Sequence, residues 1–235
     1  MKIAVLLTIF FLGLVEVPRE TKCSGVQCSW DEHLKKFVSP DGKVDYAAWK
    51  SEQEDLDNYI ADLQKNPPNE SWSKNKKLAY WINAYNALTV QLILKHYPVQ
   101  SIKNIKKPWD TKCFSIEGKD LTLGEIEHKI LRKMDEPRIH FAINCASGSC
   151  PKLLNKSYSE EELEVQLKAV TKDFLRDEGK NKIAQGTWEL SKIFLWFSKD
   201  FGSRKELIEF INNYIEMPSA KPKVTFVEYD WSLNE

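Results

Sequence analysis

The pattern of hydrophobic and polar positions along the chain predicts mainly helices. From Leu78 to Tyr97 the segment LAYWINAYNALTVQLILKHY is apolar on nearly every side, which predicts a helix buried at the centre of its domain. A second helix is marked by a capping box at Thr122 and Glu125, and an apolar stripe follows it from Leu123 to Met134. The chain is therefore expected to be built from helices that pack around the first of these two.

Two stretches follow the patterns of strands instead. The segment Arg138–Leu153, RIHFAINCASGSCPKL, opens with a short apolar run that predicts a buried strand over Ile139–Ile143, and Val224–Tyr229 alternates. Pro151 is expected to be the first residue of the next helix, which would place Cys150 at the N-cap. The predicted fold class is α+β, a mostly helical single domain around a buried central helix, with a small β-sheet that carries the central Cys/His motif.

The amino terminus has the pattern of a targeting segment. An apolar run from Ile3 to Val15 is too short to span a bilayer and is typical of a secretory signal peptide over residues 1–20, so we expect a secreted protein with one globular domain over residues 30–235. An uncleaved anchor and a buried N-terminal helix are the alternatives. Asn69 and Asn155 begin Asn-x-Ser triplets, which are potential N-glycosylation sites of a glycoprotein.

Composition narrows the classes of partner. The 235 residues are 42% hydrophobic, which is enough for a sizeable core, and 34 basic residues balance 34 acidic ones. With no net charge, the chain has no global field that would recruit nucleic acid. No phosphate-binding loop or dinucleotide fingerprint is present, so no cofactor is predicted, and the expected partner is a small-molecule or peptide substrate.

Five cysteines make an odd count, which in a secreted chain leaves at least one thiol unpaired or paired with another chain. Cys23 and Cys28 are one possible pair, and the division of Cys113, Cys145 and Cys150 stays open. A disulfide between Cys145 and Cys150 is sterically plausible across the intervening turn, and it would remove a free nucleophile there.

The central motif suggests nucleophilic chemistry, with Cys145 as the nucleophile and a histidine as the general base. In a strand, His140 would share one face with Asn144 while Cys145 would project from the other face. On that geometry His128, from the preceding helix, is the better base, oriented by Glu127 or by Asp230 near the carboxyl terminus.

Glu127 falls inside the apolar stripe of its helix, although a buried carboxylate costs free energy unless it is paired. A catalytic role and a structural ion pair with Arg132 or Arg138 are equally weighted explanations.

Further polar residues are candidates for substrate binding or for an oxyanion site. The turn from Ala146 to Ser149 offers backbone N–H groups, and its neighbourhood supplies the polar side chains Asn144, Ser147, Ser149 and Cys150. On the central helix, Asn83 and Asn86 lie on one face, where they either bind neighbouring backbone or contact a ligand. Four aromatic residues are expected in the core: Phe194, Trp196, Tyr229 and Trp231.

Several motifs, in order, resemble one family. They are WINAYNALTV from Trp81, LTLGEIEHKILR from Leu121, RIHFAINCASGSCPKL from Arg138, LSKIFLWFSKDF from Leu190 and YDWSLN from Tyr229. Together they resemble the domain-of-unknown-function 547 family, which includes secreted proteins. Some relatives carry a glutaredoxin-like module, so the resemblance implies thiol chemistry.

The residues and the resemblance leave three functions open. The first is a thiol-dependent hydrolase or acyltransferase, the second a thiol–disulfide redox module, and the third a non-catalytic secreted interaction domain with a structural disulfide. The wide Cys145–Cys150 spacing weighs against the redox module. No metal site is predicted, because His128, His140 and the two cysteines match no standard zinc pattern.

Overall fold

The computed structural model describes residues 26–216 and 219–235. The predicted signal peptide and a Cys23–Cys28 pairing lie outside the residues and side chains described. The described α-helices are α1 (Val26–Phe37), α2 (Tyr46–Lys50), α3 (Gln53–Lys65), α4 (Lys74–His96), α5 (Leu123–Glu125), α6 (Leu163–Arg176), α7 (Ile193–Trp196) and α8 (Arg204–Asn212). The described strands are β1 (Lys112–Ile116), β2 (Lys119–Thr122), β3 (Lys182–Ala184), β4 (Thr187–Leu190) and β5 (Lys223–Phe226). The predicted α+β class is confirmed.

The predicted central helix is α4. The Ser73 hydroxyl caps it by accepting a hydrogen bond from the backbone N–H of Lys76, and every residue from Leu78 to Gln91 is buried. Pro98 excludes helical backbone at Tyr97, where the helix ends. No helix in the described part of the chain is both long and apolar enough to cross a bilayer.

The strands form two small sheets. Strands β1 and β2 form a hairpin whose turn residues, Glu117 and Gly118, both have positive φ, as tight hairpin turns require. The second sheet has the order β3-β4-β5, with β4 and β5 parallel. The strand predicted over Val224–Tyr229 is therefore present as far as Phe226.

The predicted strand Ile139–Ile143 is wrong. Pro137–Phe141 forms a 3₁₀ helix, which begins with Pro137 and is capped by the Glu136 carboxylate, the acceptor for the backbone N–H of Arg138. A short apolar run fits a buried helical turn as well as a buried strand. Neither sheet carries the Cys/His motif.

The helix predicted to begin at Pro151 is also absent. The carbonyl of Pro151 accepts a hydrogen bond from the Asn144 side chain at 2.7 Å, and the chain continues without regular structure to residue 159. Cys150 is therefore not an N-cap. Ser159 accepts a hydrogen bond from the N–H of Glu162, as a cap would, but residues 160–162 form a turn before α6 begins at Leu163.

Candidate functional site

One cavity of about 300 Å³ is lined by the four candidate catalytic residues, Glu127, His128, His140 and Cys145, and by Cys150. Its aromatic lining is formed by Tyr85, Trp109, Trp196, Phe197, Tyr229 and Trp231. Its polar lining includes Asp110, Glu127, His128, His140, Cys145 and Cys150. The thiol, imidazole and carboxyl groups singled out from the sequence therefore share one space.

Part of the aromatic lining is a continuous wall. The ring centroids of Tyr229 and Trp231 lie 4.6 Å apart, and Trp196 lies 4.8 Å from Tyr229 and 5.7 Å from Trp231. Trp196 is 45% exposed, and the other two rings are partly buried, whereas Phe194 is 1% exposed. The expected core position is correct for Phe194, while the other three residues line the cavity.

The loop between the two cysteines is organised by Asn144. Its side-chain oxygen accepts from the N–H of Ala146 at 2.7 Å, and its amide donates to the carbonyl of Pro151. The backbone N–H of Asn144 in turn donates to the Asn86 side chain at 2.8 Å. The amide of Asn144 is thus occupied within the protein, and it fixes the conformation of the loop.

The carboxyl-terminal segment clasps the same loop. The N–H groups of Gly148 and Ser149 donate to the carbonyls of Ser232 and Asp230, at 2.8 and 3.1 Å, and the Ser149 hydroxyl accepts from the N–H of Asp230. A Cβ on Gly148 would lie 2.8 Å from Asp230 Oδ2, so the approach depends on glycine. In the turn proposed as an oxyanion site, the N–H groups of Ala146, Gly148 and Ser149 therefore donate to acceptors within the protein.

A disulfide joins Cys145 to Cys150, with their Cα atoms 6.1 Å apart. Cys145 is partly exposed, whereas Cys150 is 4% exposed and its Sγ accepts a hydrogen bond from the N–H of Cys145. The Sγ of Cys145 also lies 3.2 Å from the Ser147 hydroxyl and 3.4 Å from the Tyr229 hydroxyl. Of the two cysteines, Cys145 is the more exposed residue.

Glu127 lies in a five-residue π-helical turn, Ile126–Ile130, which follows the predicted capping box of Thr122 and Glu125. Such wide turns are often found at functional sites. Glu127 is 7% exposed, and its nearest hydrogen-bonding group is the Tyr85 hydroxyl at 3.4 Å. Burial raises the pKa of Glu127 to about 7, so the carboxyl exchanges its proton near neutral pH.

The arginines proposed as partners of Glu127 bind other carboxylates. Arg132 pairs with Asp200, and Arg138 pairs with Glu136 and Glu164. No ion pair joins Glu127 to either arginine in the described part of the chain, although Arg132 is close enough to oppose part of the rise in the pKa of Glu127.

His128 is at the edge of the cavity, with half of its side chain exposed. Its Nδ1 lies 3.9 Å from Glu127 Oε1 and 3.3 Å from a guanidinium nitrogen of Arg132. Burial and then the charge of Arg132 lower the pKa of His128. Asp230, the other proposed orienting group, is not among the residues lining the cavity.

His140 is 2% exposed and is held on two sides. Its Nε2 lies 2.7 Å from Asp200 Oδ2, and its ring stacks on Phe197 with the centroids 4.1 Å apart. Burial lowers the pKa of His140 to about 4, against the opposing effect of Asp200. The argument that favoured His128 assumed that His140 and Cys145 project from opposite faces of a strand. This segment is not a strand, and His140 lines the same cavity as Cys145, so that argument does not hold.

The two amides of α4 bind backbone. Asn83 donates to the carbonyl of Tyr158 at 2.8 Å and accepts from its N–H at 3.0 Å. Asn86 donates to the carbonyl of Ala142 and accepts from the N–H of Asn144. Neither amide lines the cavity, and both anchor loops on the central helix.

Two residues at the site were missed from the sequence. Asp200 orients His140. It lies within the LSKIFLWFSKDF motif, but nothing in that motif assigns the carboxylate a role at the site. Tyr229 is expected in the core only because it is aromatic, but its hydroxyl faces Cys145. In the described residues, no three histidine, cysteine or carboxylate side chains come close enough to hold a metal ion.

Comparison with known proteins gives one match. Residues 69–175 match the family described as "Protein of unknown function, DUF547". No curated protein and no solved structure gives a significant match to the chain. The matched segment contains α4, the π-helical turn and the cysteine loop, whereas Asp200 and the aromatic wall lie beyond it.

Proposed function

Residues 69–175 of the chain match the DUF547 family, whose description names no activity, and from this premise we propose that the chain is a thiol-dependent acyl-transfer enzyme, either a hydrolase or an acyltransferase. The nucleophile is Cys145 and the general base is His140, oriented by Asp200. The observation that carries the proposal is the shared cavity, in which Cys145 lies together with a buried imidazole whose Nε2 is held by Asp200 at 2.7 Å.

The Cys145–Cys150 disulfide makes the oxidised protein latent. A dithiol reductant supplies two electrons and two protons, which convert the disulfide to two thiols. Cys145 then becomes the reactive thiol, because it is partly exposed in the cavity while Cys150 is buried.

In the reduced protein His140 accepts the proton of the Cys145 thiol while the sulfur attacks the acyl carbon. A carbon–sulfur bond forms, the bond to the leaving group breaks, and the imidazolium returns its proton to that group. Water or an acceptor then attacks the thioester with His140 again as base, and the thiol is regenerated. Burial keeps His140 neutral, which is the form that accepts a proton, and charge developing on the sulfur increases its basicity.

The test uses Cys150→Ser, which leaves Cys145 without its disulfide partner. We expect this variant, without reductant, to form an acetyl adduct on Cys145 from p-nitrophenyl acetate or an acetyl thioester, as measured by peptide mass spectrometry. Wild-type protein should form the adduct only after reduction, and Cys145→Ser should form none under either condition. If Cys150→Ser acetylates at Cys145 no faster than denatured protein does, the proposal is wrong.

A redox module is the second candidate, and the unequal exposure of the two cysteine residues favours it. An exposed attacking cysteine with a buried resolving partner is the arrangement that dithiol exchange requires. Equilibration with glutathione buffers separates the possibilities. Catalysed reduction of a disulfide substrate without acyl adducts indicates the redox module, whereas a disulfide that resists mild reductant indicates an interaction domain.

Secretion and glycosylation remain proposals. A disulfide is favoured by oxidising compartments, which supports secretion. Asn69 is exposed, whereas Asn155 is half-buried and Ser157 of its triplet is buried, so Asn69 is the site at which we expect a glycan. Mass spectrometry of protein from the medium of expressing cells, before and after glycosidase treatment, tests both.

A further inference from the structure

Two hydroxyl groups meet the sulfur of Cys145. Tyr229 Oη lies 3.4 Å from this Sγ and Ser147 Oγ lies 3.2 Å from it, while the two oxygens are 3.2 Å apart. Because a disulfide sulfur carries no hydrogen, the hydroxyls must be the donors. With one proton each, Tyr229 donates to the sulfur and Ser147 donates to Tyr229 or to the sulfur.

Both donors are present throughout the neutral pH range. Burial raises the pKa of Tyr229 to about 12, against the opposing hydrogen bond from Ser147, so the phenol keeps its proton. Ser147 is 1% exposed. Burial strengthens hydrogen bonds of this kind, because water competes less for a buried Ser147 and a partly buried Tyr229.

Four backbone N–H groups of this loop are engaged elsewhere. The N–H groups of Ala146, Gly148 and Ser149 donate to acceptors within the protein, and that of Cys145 donates to Cys150 Sγ. The two hydroxyls are the side-chain donors that contact Cys145 Sγ in the described part of the chain.

We infer that Tyr229 is a catalytic residue, whose hydroxyl donates a hydrogen bond to the Cys145 thiolate in the reduced protein, and that Ser147 is a positioning residue that orients this hydroxyl. The inference rests on the proposed function, in which that thiolate is the nucleophile. When the Cys145 thiol gives its proton to His140, the negative charge on the sulfur is shared with the Tyr229 O–H, and no bond to the phenol oxygen breaks. A hydrogen bond to a charged group is stronger than one to a neutral group, so the contact favours the thiolate over the thiol.

The experiment measures the pH dependence of Cys145 alkylation by iodoacetamide in a Cys150→Ser background, with each cysteine resolved by peptide mass spectrometry. Adding Tyr229→Phe removes the hydroxyl and keeps the ring. We expect the apparent pKa of Cys145 to rise by about one to two units, and alkylation at neutral pH to slow about tenfold or more. Ser147→Ala should shift the pKa in the same direction by less.

The matched control is Tyr214→Phe, which removes a half-buried phenol outside the cavity and should leave the alkylation profile unchanged. The inference is overturned if the Tyr229→Phe profile superimposes on that of the parent. Should Tyr229→Phe fail to fold, the Ser147→Ala profile decides in the same way.

The two proposals fail separately. A shifted alkylation profile without any acyl adduct on Cys145 leaves the Tyr229 contact established and the acyl-transfer function wrong. Acyl adducts with an unshifted profile give the reverse result.

Discussion

His140 and Asp200 form the shortest contact made by either cavity histidine, with Nε2 and Oδ2 2.7 Å apart. The guanidinium of Arg132 binds both oxygens of the same carboxylate, donating to Oδ2 at 2.5 Å and to Oδ1 at 2.8 Å. Burial opposes ionisation of Asp200, but the hydrogen bonds from Arg132 and His140 outweigh it and lower its pKa. Asp200 is thus an ionised group that fixes the plane of the His140 ring.

Removing the charge of Asp200 should therefore impair the reaction. We expect Asp200→Asn to lower the rate of Cys145 acetylation in the reduced protein about 100-fold or more, because an amide at this position no longer stabilises the imidazolium. Arg132→Gln is the control, since it removes the same ion pair and leaves the His140 contact. Equal losses in the two variants would trace the effect to the Arg132–Asp200 ion pair and would contradict a role for the charge of Asp200 on His140.

Glu127 should make the protein less stable as pH rises. Its pKa is about 7 in the folded protein and near 4.5 when unfolded, so the unfolded chain loses its proton first and stability falls between these values. Glu127→Gln removes the ionisable group and with it this loss of stability. We expect the free energy of unfolding of the variant, minus that of wild type, to increase by up to about 3 kcal/mol from pH 4 to pH 8. Urea unfolding at each pH measures the difference.

The comparison with Glu127→Gln is needed because His140 titrates in the same window with the opposite sign. The pKa of His140 is about 4 in the folded protein, below its usual value of 6.5, so the stability contributed by this group falls as pH drops from 6.5 to 4. The wild-type curve combines both slopes, and the difference between variant and wild type isolates Glu127. A difference that is constant with pH would contradict the burial of an ionisable Glu127.

Asn86 should connect the stability of α4 with the reactivity of the cysteine loop. Asn86→Ala removes two buried hydrogen bonds, to Ala142 and Asn144, and we expect a loss of about 2–3 kcal/mol together with faster reduction of the disulfide by dithiothreitol. Asn83→Ala removes an equivalent pair of bonds to Tyr158 and should cost the same stability without changing the reduction rate. Similar reduction rates in the two variants would rule out a specific role for Asn86.

The residues Ser39-Pro40-Asp41-Gly42 are of the types that predict a turn, and Gly42 at its end lies against Lys152, which follows the cysteine loop. The φ of Gly42 is +85°, and an added Cβ would overlap the Cβ of Lys152 and lie 2.9 Å from its Cα. Gly118 has a similar φ with no atom within 4 Å of an added Cβ. We expect Gly118→Ala to cost about 1 kcal/mol from backbone strain and Gly42→Ala to cost at least 1–3 kcal/mol more from the clash, as thermal unfolding would show.

The elements predicted well from sequence are those that depend on local signals. The α4 helix follows from an apolar run longer than any strand, and the Thr122–Glu125 box and the Gly42 turn follow from residue types that local geometry demands. The Ile139–Ile143 run has no such signal, since its length suits a strand or a short helix. In this segment the Glu136 cap and Pro137 favour the 3₁₀ helix.

The site was predictable only in part, for a related reason. Glu127 was identified because a carboxylate on an apolar stripe is an anomaly in a single helix, and Cys145 and His140 because they share one motif. Asp200 and Tyr229 come from elsewhere in the chain and meet them only after folding. Their roles depend on contacts across 60 and 84 sequence positions, which no local pattern encodes.

The segment by which the family is recognised ends at residue 175, before Asp200, Trp196 and Tyr229. A recombinant fragment cut to those limits would retain Cys145 and His140. It would lose Asp200, whose carboxylate binds His140, and Tyr229, whose hydroxyl contacts the sulfur of Cys145. It would also lose the Asp230 and Ser232 carbonyls that hold the cysteine loop. Inactivity of such a truncated fragment would therefore reflect where it was cut, and expression boundaries should extend through Asn234.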